Sequence, residues 1–203
     1  MDTYRKLSSL STPCISDGAG GLGNLDPAIR PLREEYTLCG PALTARTGIN
    51  DNSAVYRAIR TAIPGQVLVI DARGSLYNPV AGDFVVGMAK MMGLAGIVAD
   101  GTVRDIREVK ETGLPVFCRG GTIARPEKGA LGDTGGIISC GGVSVSPGDW
   151  IVGDANGVTV IPSADVERVI RAARTKQAKD EERSRNVLAS RESVLAYLDA
   201  ILA

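Results

Sequence analysis

At 203 residues and 44% hydrophobic content, the chain can bury the core of one domain and leave a helical tail protruding from it. Its 23 basic and 23 acidic residues cancel, which removes the electrostatic footprint expected for nucleic acid or an anionic membrane surface. It contains no histidine, so Ser-His-Asp and Cys-His machinery and imidazole-held zinc or iron are excluded; acid-base work falls to Asp, Glu, Lys, Tyr, Cys or a metal-linked water, and a metal with mostly oxygen ligands would be Mg²⁺ or Mn²⁺.

In chain order, the segment to about Leu10 reads as a short helix, and Ser11-Thr12-Pro13 as the N-cap and Pro-bearing start of a second, ended by the glycines at 18–23. Its opening residues lack the apolar core of a signal peptide, and no apolar run reaches the roughly 20 residues of a membrane span, so a cytoplasmic protein is expected. Residues 40–46 look like a strand, 52–63 like a helix closed by Pro64-Gly65, and 66–71 like a buried strand. Phe84, Val85, Gly87, Met88, Met91 and Met92 follow helical spacing over 83–92, with Gly93 as the stop. A strand at 96–99, a helix at 104–112 and a strand at 115–118 complete a βαβαβ-like middle. Residues 120–142 are glycine-rich, and 143–162 carry strand signals broken by Pro147-Gly148-Asp149 and Asp154-Ala155-Asn156-Gly157. From 164 to about 185, Val166, Val169, Ile170 and Ala173 recur at helical spacing and give way to a charged stretch, 176–185, which suits a solvated face or a neighbouring subunit. Cys14, Cys39, Cys118 and Cys140 are widely spaced and read as small core hydrophobes.

Gly18-Ala19-Gly20-Gly21-Leu22-Gly23 matches the G-x-G-x-x-G of dinucleotide sites, but that motif needs a strand before it and a helix after it. Residues 11–17 have no strand character and Asp26-Pro27 breaks any following helix, so nicotinamide or flavin binding is not expected.

Two carboxylates and a guanidinium fall at strand-to-helix turns: Asp83 after Gly82, and Arg104-Asp105 after Thr102-Val103. Polar groups at such turns can converge on a small anionic ligand. Each also has an ordinary explanation. Asp83 could cap a helix, Asp105 could complement a helix dipole, and Arg104 could pair with Glu108 one turn on.

The spacing Asp83, twenty residues, Arg104-Asp105 matches the D-x20-R-D signature of the class II pyruvate aldolases that cleave 4-hydroxy-4-methyl-2-oxoglutarate and 4-carboxy-4-hydroxy-2-oxoadipate. The chain resembles that family, and its relatives named for regulating ribonuclease E (RraA-like), over most of its length. The matching stretches include Gly40-Pro41-Ala42-Leu43-Thr44, Asp51-Asn52, Pro64-Gly65-Gln66-Val67, Asp100 to Asp105, Pro147-Gly148-Asp149 and Asn156-Gly157-Val158. The resemblance implies an α/β protein with a swivelling β/β/α domain and a long C-terminal helix, residues 1–203 forming one domain and 164–203 a helical extension that contacts a neighbouring subunit. It implies a homotrimer or homohexamer.

It further implies that Asp105 coordinates Mg²⁺ or Mn²⁺, that Asp83 holds the metal's water shell, and that Arg104 binds the keto oxygen of a 2-oxo acid. The helix-start N–H groups of Phe84 and Val85, after Gly82, would hold the substrate carboxylate. Glu181, or else Glu182, would reach the site of an adjacent subunit. The implied reaction is retro-aldol cleavage to pyruvate plus a second 2-oxo acid through an enolate, with oxaloacetate decarboxylation as a side activity. The chain departs from the family in having Asn50-Asp51-Asn52 where Gly-Asp-Asn is usual and Phe84-Val85 where leucines are usual; the bulkier Phe84 bears on which C4 substituent fits. Two rivals stand beside this reading: a non-catalytic RraA-like regulator binding ribonuclease E or another protein, and a Schiff-base aldolase using Lys90 or Lys110.

Overall fold

A computed structural model describes residues 2–129 and 132–203. Two short helices open the chain, α1 (Asp2–Ser8) and α2 (Thr12–Gly18). A two-residue strand, β1 (Arg30–Pro31), leads to β2 (Leu38–Thr47), after which helices and strands alternate: α3 (Ser53–Arg60), β3 (Val67–Ala81), α4 (Asp83–Met91), β4 (Gly96–Val103), α5 (Ile106–Thr112) and β5 (Val116–Cys118). Short strands follow, β6 (Gly120–Gly121), β7 (Gly132–Thr134), β8 (Ile138–Cys140) and β9 (Val143–Val145), then the hairpin of β10 (Trp150–Asp154) and β11 (Gly157–Ile161). After a 3₁₀ turn at Ser163–Asp165, α6 (Val166–Val187) and α7 (Arg191–Leu202) end the chain.

The main sheet runs β1-β5-β4-β3-β2-β10-β11. Its centre is parallel, β2 with β3, β3 with β4 and β4 with β5, so each neighbouring pair is joined through a helix. Stepping in one direction through right-handed crossovers puts α3, α4 and α5 on the same face. The strand sequence obeys this with a period of two: Leu68, Ile70, Ile97, Ala99, Val116 and Cys118 face the helices, while Val67, Val69, Val98 and Phe117 face the inner core with Leu38 and Ile151. The sheet curls until its ends meet. Residues 23–25 pair with β11 through the Asn24–Thr159 bridge, and the Arg30 guanidinium donates to Asn156 O at 3.1 Å. The result is a nearly closed barrel with a helical layer on one side, a mixed α/β fold with a long C-terminal helix as expected.

A third cluster anchors α6. Its Val166, Val169, Ile170 and Ala173 pack with Leu7, Ile15 and Ile161, and Gly18 comes so close that a Cβ there would lie 2.8 Å from Ala173 N. Ser11 caps α2 as the sequence indicates, accepting from Cys14 N. The Gly18–Gly23 stretch ends α2 in a turn rather than opening a helix, so the dinucleotide motif is out of context.

Inside the barrel end, Asp71 and Asp100 lie in register on β3 and β4, both buried. Arg46 pairs with Asp71 at 3.2 Å, and Arg119 joins Asp100 to Asp26. Asp100 also accepts from Gly141 N at 2.8 Å, which ties down the β8–β9 hairpin. Buried carboxylates need such partners.

Three local expectations change. The buried strand at 66–71 continues as β3 to Ala81, because register shifts between Asp71, Ser75, Pro79 and Ala81 keep it paired with β4 through Arg73-Gly74. The helix expected from Arg104 begins at Ile106, because Asp105 adopts the left-handed conformation, φ 56°, and cannot belong to it. The C-terminal region is two helices, broken at Leu188 and restarted by a capping box between Ser190 and Ser193.

Candidate active site

The carboxyl ends of β2, β3 and β4 lie side by side, and the residues that follow them line one cleft of about 730 Å³. Ligands gather at this edge of a parallel sheet because side chains and helix N-termini converge there. The turn after β3 presents Gly82, Asp83, Phe84 and Val85; the turn after β4 presents Arg104 and Asp105; the segment after β2 presents Asn52 and Tyr56. The other wall is a loop bearing Arg125, Glu127 and Lys128. Thus Asp83, Arg104 and Asp105 share a single cavity, as do Gly82, Phe84 and Val85.

Arg104 is positioned by its own backbone, whose N–H donates to Ala81 O at 3.0 Å, placing it against Gly82. Its Nε donates to Asp105 Oδ2 at 3.1 Å, with the two side chains 41% and 36% exposed. A pair this exposed contributes at most about 1 kcal/mol, so both groups can exchange it for a ligand at little cost. Arg104 thus pairs with Asp105, where the ordinary alternative had it pairing with Glu108.

Asp105 stands at the N-cap position of α5 without capping it. A non-glycine residue in the left-handed region carries local strain, and an N-cap carboxylate normally satisfies an orphan N–H. Here the backbone turns the carboxylate away from that role and into the cleft. Gly82, at φ −130°, is a glycine for space: a Cβ there would lie 2.6 Å from Asp105 Oδ2. Asp83 is the first residue of α4, with Gly82 as the cap, so its carboxylate complements the helix dipole while lining the cleft. The N–H groups of Asp83, Phe84 and Val85 have no acceptor within the helix and form an anion-binding end.

The Asn52 Oδ1 is buried with no hydrogen-bond partner among the described residues, while its Nδ2 donates to Val80 O at 3.3 Å. A buried acceptor beside a cleft is completed by a ligand or water. The loop wall is fixed to the same segment: Glu127 N donates to Asn50 O at 2.8 Å, Gly129 N donates to the Asp51 carboxylate, and Lys128 Nζ sits 4.9 Å from the Tyr56 ring centre. Sequence reasoning assigned no role to Asn52, Tyr56, Arg125, Glu127 or Lys128. The signals present were Asp51-Asn52 among the family-like stretches and three charges in four residues, Arg125-Pro126-Glu127-Lys128, inside a glycine-rich stretch.

Glu181 and Glu182 lie on the exposed half of α6, Glu181 accepting from Gln177 Nε2 at 2.9 Å, and neither lines the cleft of its own chain. Lys90 donates to Thr112 O and lines a different groove, and neither it nor Lys110 lines the cleft, so neither of the two lysines named from the sequence is placed to form a Schiff base there. Among the described residues no group of three or more His, Cys, Asp or Glu side chains forms a metal cage. Three carboxylates, Asp83, Asp105 and Glu127, line this roomy cleft, an oxygen donor set that fits a hard divalent cation keeping most of its ligands as water or substrate oxygen.

A family model described as "RraA-like: Aldolase/RraA" matches residues 12–160. A Halalkalibacterium halodurans protein named "Putative 4-hydroxy-4-methyl-2-oxoglutarate aldolase" is 47% identical over 202 residues, all of this chain and 96% of its own length. A protein of the same name from Xanthomonas campestris is 33% identical over 74% of this chain and 90% of its own. Among solved structures, Streptomyces coelicolor RraAS2, described as an unusual member of the RNase ES inhibitor RraA protein family, superposes with a TM-score of 0.80 at 28% identity, over 91% of this chain and 98% of its own. An uncharacterized protein from Pseudomonas syringae shares the fold at a TM-score of 0.84 and 23% identity, over 98% and 93% of the two chains.

Proposed function

The chain belongs to the RraA-like aldolase family, and on that premise we propose that it is a divalent-metal-dependent lyase acting on 4-hydroxy-2-oxo acids. The substrate is of the 4-hydroxy-4-methyl-2-oxoglutarate or 4-carboxy-4-hydroxy-2-oxoadipate type, the products are pyruvate and a second 2-oxo acid, and oxaloacetate is decarboxylated in the same cleft. The observation that carries this reading is Asp105, held in a left-handed conformation that forgoes helix capping and turns its carboxylate into the cleft beside Arg104.

Mg²⁺ or Mn²⁺ held by Asp105, with Asp83 on its water shell, would supply Lewis acidity toward the keto oxygen. The remaining work falls to the chain. The N–H groups of Phe84 and Val85 hold the substrate carboxylate at the α4 N-terminus. Arg104 donates to the C2 keto oxygen and stabilises the negative charge that accumulates there as the C3–C4 bond breaks. Asp83 orients the water that takes the C4 hydroxyl proton, so that C4 becomes a carbonyl and the electron pair of the broken bond passes to the pyruvyl fragment. Protonation at C3 completes pyruvate. Decarboxylation of oxaloacetate needs the Arg104 step and no hydroxyl deprotonation.

In the homotrimer or homohexamer proposed here, Glu181 of an adjacent subunit completes the proton path, with Glu182 as the alternative. A protein-binding regulator is the second reading, favoured by the likeness to RraAS2; it gives no reason for the strained Asp105. Pyruvate release from oxaloacetate and from 4-hydroxy-4-methyl-2-oxoglutarate, with Mg²⁺, with EDTA and for Asp105→Ala, tests the proposal. Metal-dependent turnover lost in the variant supports the lyase. A folded protein inert toward both substrates supports the regulator.

A further inference from the structure

A second cavity, of about 190 Å³, opens at the same edge of the sheet as the active cleft, between the segment after β2 and the irregular half of β3. Its lining includes Ile49, Asn50, Asp51, Arg73, Asn78 and Val80, and the lyase reading gives it no role. Two features mark it as more than a gap in packing. Among the described residues, three other than glycine take the left-handed conformation: Asp105 in the active cleft, and Asn50 (φ 53°) and Arg73 (φ 56°), which both line this cavity. Each forgoes the ease with which glycine would adopt the same turn, and such strain gathers where a ligand is held. In addition, three buried side-chain polar atoms lack a hydrogen-bond partner among the described residues, and two of them are Asn50 Oδ1 and Asn52 Oδ1. Asn52 lines the active cleft and Asn50 the second cavity, so one short segment divides the two spaces and carries an unanswered acceptor beside each.

The charged lining is one acid and one base, Asp51 and Arg73. Ser53 N, at 2.7 Å, and Gly129 N donate to the Asp51 carboxylate and fix its negative charge at the cavity wall. The Arg73 side chain makes no hydrogen bond or ion pair among the described residues; only its backbone N–H is engaged, donating to Asp71, whose own charge is taken up by Arg46 at 3.2 Å. A guanidinium calls for an anion, and Asn50 Oδ1 beside Asp51 calls for a donor, preferably a cationic one. The cavity is far smaller than the 730 Å³ cleft, so its occupant must carry both groups on a short frame.

We propose that this cavity binds a small zwitterionic α-amino acid. Its carboxylate takes the paired donors of Arg73, and its ammonium donates to Asn50 Oδ1 in the field of Asp51. Asn50 Oδ1 is closed off from solvent in the empty cavity, so its side chain turns toward the ligand on binding. Ile49, Pro79 and Val80 leave room for a short side chain only. Binding is transmitted to the active cleft by the dividing segment: Asn52 Nδ2 donates to the carbonyl of Val80, which lines the second cavity, and Glu127 N, from the far wall of the cleft, donates to Asn50 O at 2.8 Å. Control of turnover by this route rests on the catalytic reading; the binding itself does not.

Calorimetric titration of the full chain with glycine, L-alanine and L-serine, in the absence of metal and 2-oxo acid, tests the proposal. Saturable binding of at least one of the three at a single site is expected. Asn50→Gly and Arg73→Gly each remove one contact, and glycine suits both left-handed positions, so folding is expected to survive and thermal melts verify it. Each variant should weaken binding by roughly 10-fold or more, the loss of a hydrogen bond to a charged group, whereas Asp105→Ala in the other cavity should bind as the native chain does. L-Lactate, with a hydroxyl in place of the ammonium, should compete far less effectively. No heat of binding from any of the three amino acids overturns the proposal, leaving a cavity that holds water only. So does native affinity in either glycine variant, and so does binding that Asp105→Ala abolishes, which would place the amino acid in the active cleft. Competition by L-lactate equal to that of the amino acid overturns the zwitterion. Binding is read without turnover, so its failure leaves the lyase proposal standing, and the converse holds.

Discussion

Gly82 and Asp105 occupy adjoining space across the β3 and β4 turns: a Cβ on residue 82 would lie 2.6 Å from Asp105 Oδ2 and 3.3 Å from Arg104 Nε. The two halves of the D-x20-R-D signature therefore meet through a glycine that is there for the close approach. Gly82→Ala is expected to displace the Arg104–Asp105 pair while leaving the fold intact, since residue 82 is at φ −130° and tolerates a side chain conformationally. A displacement near 1 Å costs on the order of 100-fold in turnover. Steady-state oxaloacetate decarboxylation alongside thermal unfolding measures both; unchanged turnover would show that this contact does not position the site.

Asn52 separates catalysis from stability. Asn52→Ala removes the bond to Val80 O, a net loss of about 1 kcal/mol, but also removes the unpartnered Oδ1 whose burial is unfavourable. Stability should change by less than about 1 kcal/mol, whereas kcat/KM falls by roughly 10- to 100-fold if Oδ1 accepts from substrate or an ordered water. Parallel loss of Tm and activity would make Asn52 a structural residue only.

Asp154 ties α2 to the β10–β11 hairpin, accepting from the Thr12 hydroxyl at 2.7 Å and from the Thr12 and Asn156 N–H groups. Burial pushes its carboxyl up, but these hydrogen bonds outweigh burial and hold it below the usual carboxylate range. A carboxyl depressed on folding stabilises the protein above its unfolded pKa, and that contribution is lost as pH falls through the folded value. The Tm of the native chain should exceed that of Asp154→Asn at neutral pH, and the gap should shrink as pH drops below about 4. Thermal melts from pH 7 to pH 3 check this; a pH-independent gap would contradict it.

Thiol chemistry should pick out one cysteine. Burial pushes the Cys39 thiol up to about 12, raises Cys118, and raises Cys140 further with help from Asp100 and Asp71, whereas Cys14 is only half-buried. Thiolate is the reactive form, so disulfide-exchange titration at pH 8 is expected to modify Cys14 quickly and the other three only on unfolding. Fast release of more than one equivalent would show a looser core.

Much of this was legible in the chain. The short apolar runs Val67–Ile70 and Ile97–Ala99, alternating with helical segments, and the glycine-marked turns before Asp83 and Arg104 located the parallel layer and the site edge. What the sequence hid was backbone detail set by tertiary contact. The left-handed turn at Asp105 shortens α5, and irregular pairing past Asp71 extends β3. The Arg125–Lys128 wall escaped because its placement depends on Asn50 and Asp51, far away in sequence, and within the expected helical extension the break at Leu188 escaped because no glycine or proline marks it.

The central claim is that this cleft stabilises a pyruvate enolate with the help of Asp105 and a divalent cation. Proton NMR of pyruvate in D₂O observes that chemistry without a full substrate, since reversible enolisation replaces the methyl hydrogens with deuterium. The account predicts loss of the methyl signal with the native protein and Mg²⁺ or Mn²⁺, and rates at the uncatalysed background with EDTA or with Asp105→Ala. Exchange that persists undiminished in EDTA or in the variant, or none from the folded, metal-supplied native protein, would contradict it.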